Sequence, residues 1–277
     1  MIRHARKVRA GDWIRLVTLI FVSGLGPAGS NAAENAPAPG ELQLFLLIGQ
    51  SNMSGRGVIE PPDREVIPGV STLDKDLAWV PAIDPIQLEK ISGVSMGRTF
   101  GRTLVTANPA LAIGLIPSAV GSSSLEMWRR GGELYENAVR RTRAALKAGR
   151  LRGILWHQGE GDGIIEPDAL TYGVRWTAFI SALRADLGAP DVPVVVGELC
   201  RSIYHRPDGK TKFALQVNEQ LALLSFTVPH CGFVSSEGLT DKGDHVHFDA
   251  ASQRELGRRY ALAFLALEPT WTIGAGR

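Results

Sequence analysis

Five short stretches of this chain are apolar almost without interruption: residues 42–48 (LQLFLLI), 110–116 (ALAIGLI), 153–156 (GILW), 192–196 (VPVVV) and 232–235 (GFVS). A strand with one face in water alternates apolar and polar residues. A strand that is apolar throughout is buried on both faces, as in a parallel sheet sandwiched by helices. Helical patterns lie between the runs, over 97–106, 133–148, 172–187, 214–224 and 250–267. In 172–187, for example, Trp176, Phe179, Ile180 and Leu183 fall on one helical face. Strand and helix in alternation predict an α/β/α sandwich around a five-stranded, doubly wound parallel sheet. Residues 56–96, rich in Pro, Gly and Asp, show no period and are expected as an irregular excursion on the ligand side of the sheet.

The rest of the chain constrains the setting. Arg3, Arg6, Lys7, Arg9 and Arg15 precede a mostly apolar stretch, 16–25, and then small residues ending in Ser30-Asn31-Ala32. That order predicts a signal peptide over 1–32, cut after Ala32, and so a secreted or periplasmic protein. Residues 33–40 (AENAPAPG) read as a flexible lead-in, and 41–268 as one domain. Without 1–32 the chain carries 25 basic and 27 acidic side chains, a balance that gives no electrostatic reason to bind nucleic acid. No run of 18 uninterrupted apolar residues is present, so stable membrane insertion after signal removal is not expected. Export permits disulfides. Cys200 ends one apolar run, however, and Cys231 begins the next. On neighbouring parallel strands they would lie roughly 15 Å apart, so no bridge is expected.

Ligands of open α/β sheets bind beyond the carboxyl ends of the strands. Four such ends deliver reactive residues here: G-Q-S-N-M-S-G at 49–55, P-S-A-V-G-S-S-S at 117–124, H-Q-G-E-G-D at 157–162 and D-K-G-D-H-V-H-F-D at 241–249. Each has an ordinary reading when taken alone. Ser51 caps helices well, Gly121 suits a tight turn, and His247, Gln158 and Glu160 suit solvated loops. Their convergence on one rim carries the weight. The chain has no P-loop, C-x-x-C or H-E-x-x-H, and no metal or cofactor is expected.

Read together, G-Q-S-N-M, I-P-S-A-V-G-S-S-S-L-E-M-W, W-H-Q-G-E-G-D and D-H-V-H-F-D resemble the SGNH (GDSL-like) hydrolases. They are most similar to the branch of carbohydrate esterase family 6 and the sialate O-acetylesterases. The resemblance spans about residues 42–263. It implies a three-layer sandwich and a serine esterase that deacetylates carbohydrate, with acetylated poly- or oligosaccharide, typically xylan, as substrate. It makes Ser51 the nucleophile, His247 the base and Asp244 its orienting acid. The backbone N–H groups of Ser51 and Gly121 and the Gln158 amide become the oxyanion donors. Ser122 replaces the second glycine the family often carries. Glu160 is a supporting residue or a competing acid, since it too follows a strand. His245 should point away from His247, and His157 and Trp128 either line the pocket or pack. Two other readings stay open: a sialate O-acetylesterase or small-ester hydrolase on this fold, and a sugar-binding protein without catalysis.

Overall fold

A computed structural model describes residues 41–269 and Trp271. The expected signal peptide, 1–32, and lead-in, 33–40, lie outside the described residues. The sheet has seven strands: β1 (Leu42–Gly49), β2 (Val70–Leu73), β3 (Trp79–Pro81), β4 (Ala112–Pro117), β5 (Gly149–His157), β6 (Val194–Gly197) and β7 (Cys231–Val234), in the order β3-β2-β4-β1-β5-β6-β7. Helices α1 (Ser51–Ser54), α2 (Met96–Ala107), α3 (Glu133–Ala145), α4 (Glu166–Leu170), α5 (Tyr172–Asp186), α6 (Ala214–Thr227) and α7 (Ala250–Leu267) fall between and after the strands, with none between β2 and β3 and both α4 and α5 between β5 and β6.

All five expected strands are present and parallel. The sheet is nevertheless wider than expected. β2 adds to β4 in parallel, and β3 closes the edge antiparallel to β2. Both come from 56–96, where the two short strands are set among Pro, Gly and Asp and leave no periodicity to read. Their packing partners supply what the sequence does not: buried Val70 and Leu73 seat this edge on the core.

β1 shows why uninterrupted apolar strands demand two covering layers. Leu44, Leu46 and Ile48 point into one core, with Trp128, Tyr135, Trp176, Phe179 and Leu221 from the α3–α6 side. Phe45 and Leu47 point into the other, with Phe100, Leu256, Tyr260 and Phe264 from α2 and α7. Phe45 packs edge-on against Phe100 and Phe264, with ring centroids 4.8 and 5.0 Å away.

After β1 the chain crosses to β2, β3 and β4 on one side, then returns to β5, β6 and β7 on the other. β1 therefore sits at the topological switch point, where a crevice opens at the strand ends. Its last residue, Gly49, has φ 135°, and a Cβ there would lie 2.1 Å from the His157 carbonyl oxygen. Only glycine lets β1 turn into α1 against β5. Cys231 is in register with Val194, six residues before Cys200, and both cysteines are free and buried. Burial pushes the Cys231 thiol up to about 12, so it is inert.

Candidate active site

Ser51 opens α1 directly behind β1 and is 5% exposed. Its Oγ lies 2.9 Å from Nε2 of His247. Nδ1 of the same ring lies 2.7 Å from Oδ2 of Asp244. Residues 196 apart in sequence are thus brought into one hydrogen-bonded line.

The histidine loop is wound on two carboxylates. Asp241 Oδ1 accepts the N–H groups of Gly243 and His245. Asp244 Oδ1 accepts those of Val246 and His247, at 3.0 and 2.7 Å. Burial pushes the Asp244 carboxyl upward, but those N–H groups and the His247 ring outweigh it and hold it well below the usual carboxylate range. Asp249 then caps α7 by accepting the Ser252 N–H at 2.8 Å. The loop is a tight turn rather than an extended segment. His245 sits in left-handed backbone, φ 61°, and its hydrogen bond is through its backbone N–H to Asp241.

Asp244, not Glu160, is the carboxylate in contact with His247. Glu160 is buried behind α1, where its Oε1 accepts from Asn52 Nδ2 at 2.6 Å. Burial raises its carboxyl to about 7, against the pull of the Asn52 and backbone hydrogen bonds. Between about pH 4.5 and 7 the folded protein therefore holds a proton that the unfolded chain has released. That stabilisation is complete below the ordinary glutamate value and is lost as pH rises through 7. Relative to Glu160→Gln, the wild type should lose up to about 3 kcal/mol of unfolding free energy between pH 5 and 8. Denaturant melts of both proteins at the two pH values check this, and parallel curves would show that Glu160 is charged throughout.

The three expected oxyanion donors are neighbours in the fold but differ in availability. The Ser51 N–H belongs to the first turn of α1 and so has no acceptor within its helix. The Gly121 N–H donates to Glu89 Oε1 at 2.8 Å. The Gln158 amide is fully buried and donates to Asp162 Oδ2 at 2.7 Å and to the Ser123 carbonyl at 3.0 Å. Ser122 takes φ 59°, the left-handed backbone for which glycine is better suited. His157 and Trp128 are both packing residues. Each is fully buried, His157 against the Tyr260 hydroxyl and Trp128 donating to Ser123 Oγ. Burial takes His157 down to about 3, so the ring is neutral.

Several residues of the site have no role in the sequence reading. Glu89 and Ser92, from the 56–96 excursion, meet Ser54 beside Gly121, and Arg56 pairs with Glu89 at 2.9 Å. Asp162 takes the Leu125 N–H, the Gln158 amide and Arg175. Its place in H-Q-G-E-G-D was a usable signal, as was that of Asn52 in G-Q-S-N-M. Glu89 carried none. Among the described residues no group of three or more His, Cys, Asp or Glu is placed to hold a metal ion. No helix among them is long and apolar enough to cross a membrane.

The fold and site have known counterparts. A family model described as carbohydrate esterase, sialic acid-specific acetylesterase, matches residues 41–266. A probable carbohydrate esterase of Arabidopsis thaliana is 31% identical over 245 residues, which is 81% of this chain and 90% of that protein. The X-ray structure of an Arabidopsis thaliana protein superposes with a TM-score of 0.73 at 30% identity, over 82% of this chain and 98% of that one. NanS superposes with a TM-score of 0.67 at 17% identity, covering 84% of this chain and 99% of its own, a likeness of fold. With a match over nearly all the described residues, the chain belongs to the carbohydrate esterase, sialic acid-specific acetylesterase family and is an esterase of the α/β class.

Proposed function

We propose that this protein is an exported serine esterase that removes O-acetyl groups from neutral carbohydrate, with acetylated xylan the leading substrate. The observation that carries the mechanism is the line from Ser51 Oγ through the His247 ring to Asp244, with contacts of 2.9 and 2.7 Å. A serine hydroxyl is a weak nucleophile until an adjacent base takes its proton. His247 Nε2 takes that proton as Oγ attacks the acetyl carbonyl, and Asp244 stabilises the imidazolium. The oxyanion settles on the Ser51 N–H. The Gly121 N–H joins once the substrate oxygen replaces Glu89 as its partner, and Gln158 holds the Ser123 turn. His247 then returns the proton to the departing sugar oxygen. Water repeats the sequence on the acetyl-enzyme, releasing acetate and free Ser51.

A neutral sugar is favoured because Arg56, the guanidinium nearest Gly121, is already neutralised by Glu89. A second reading, a sialate O-acetylesterase, is favoured by the description of the family itself. Acetate release from acetylated xylan, O-acetylated sialic acid and p-nitrophenyl acetate separates them. The expected order puts xylan ahead of the sialic acid ester, and the reverse order would overturn the substrate assignment. Export is supported by the basic and then apolar pattern of residues 1–32. It predicts that the mature protein begins at Ala33, which N-terminal sequencing of the exported protein reads directly.

A further inference from the structure

Asn52, immediately after the nucleophile, is fully buried, and its side-chain hydrogen bonds go neither to Ser51 Oγ nor to the His247 ring. Its side chain instead reaches the two residues that flank His247. Nδ2 donates to the Val246 carbonyl at 3.0 Å, and Oδ1 accepts the Phe248 N–H at 3.1 Å. The second Nδ2 hydrogen goes to Glu160 Oε1 at 2.6 Å. Every hydrogen-bonding group of the amide except one Oδ1 lone pair is therefore in use. The Asn52 backbone carbonyl in turn accepts from Gln253 Nε2 of α7 at 3.0 Å. α1, the turn after β5, the histidine loop and α7 all meet at this one residue.

We infer that Asn52 is a positioning residue that fastens the histidine loop to the helix bearing the nucleophile, with Glu160 as its anchor. This rests on the serine-esterase reading. The carboxylates of Asp241 and Asp244 shape the loop internally, but they do not tie it to Ser51. Asn52 ties it on both sides of the catalytic ring, so the Ser51–His247 distance follows from the amide's own dimensions. Together with the Val246 carbonyl and the Phe248 N–H, Glu160 sets which end of that amide donates. A flipped amide would set Oδ1 against the Val246 carbonyl and Nδ2 against the Phe248 N–H. The duty of Glu160 is thus to set the orientation of Asn52 rather than to touch His247.

The test is a set of variants assayed on p-nitrophenyl acetate, each first shown to be folded by near-UV circular dichroism. Asn52→Ala removes two neutral hydrogen bonds to the loop, and kcat should fall by about 100-fold. KM should change little, since the lost effect is on the chemical step. The rate at which a small fluorophosphonate labels Ser51 should fall in step with kcat. The Nδ1 proton resonance of His247 should broaden as the loop loosens. Asn52→Asp faces the Glu160 carboxyl with a second one and should be at least as slow. Adding Glu160→Gln to Asn52→Asp restores a donor–acceptor pair and should recover about tenfold of the rate, which a space-filling role would not. The recovery also tests the idea if Asn52→Ala fails to fold. A folded Asn52→Ala protein with wild-type kcat, or an Asn52→Asp defect that Glu160→Gln leaves untouched, would overturn the clamp. Ser51→Ala, run alongside, distinguishes the failures. If it too stays active, the serine mechanism falls, whereas if it alone is dead, only the clamp falls.

Discussion

Ser51→Ala should leave a folded protein with at least about 10⁴-fold lower kcat/KM on p-nitrophenyl acetate; loss of the nucleophile in a serine-protease triad, about 10⁶-fold, sets the upper bound. The reason is that, among the described residues, Ser51 is the hydroxyl in hydrogen-bond contact with the His247 ring. The side-chain hydrogen bond of Ser51 is to His247, so its removal strips no structural contact from the core. Stability should change by less than about 1 kcal/mol. His247→Ala should cost a similar factor, and the double variant should be no slower than either single one, because nucleophile and base act as one unit. A folded Ser51→Ala protein with a few per cent of wild-type turnover would remove Ser51 from the mechanism.

Asp244→Asn should cost about 10³- to 10⁴-fold in kcat, by the tautomer effect known for serine triads. Asp244 Oδ2 now accepts the Nδ1 proton, which leaves Nε2 free to take the Ser51 proton. An amide nitrogen in that place would donate to Nδ1, put the ring proton on Nε2 and disable the base. Oδ1 would still accept the Val246 and His247 N–H groups, so the loop keeps its shape. Glu160→Gln, which still offers Asn52 an acceptor, should cost no more than about 10- to 100-fold. Measuring both on one ester fixes the orienting acid. A near-dead Glu160→Gln beside an active Asp244→Asn would hand that role to Glu160.

The parallel core of this fold was legible because continuous apolar strands have only one comfortable environment. β2 and β3 were not, since Val70–Leu73 and Trp79–Pro81 are short and owe their pairing to the sheet beside them. Ser51, His247 and Asp244 stand in recognisable blocks at strand ends, so their meeting could be expected. What occupies their neighbours could not. Whether the Gly121 N–H is open depends on Glu89, 32 residues upstream in a segment without pattern. Whether the Gln158 amide is open depends on how Asp162, four residues on, folds back. Such pairings are decided by tertiary packing, on which residue type says little.

The offset of 196 positions from Ser51 to His247 also sets the order in which the enzyme can come alive. A chain made or threaded from its N-terminus produces the nucleophile with its first strand and the base only just before its last helix. The sheet can begin to assemble around β1 long before that, since long-range pairings wait on chain already available. Until α7 docks, the serine is an ordinary alcohol facing a half-built crevice. On the proposed mechanism, ester cleavage therefore waits until the chain has been made at least as far as His247 and α7 has docked.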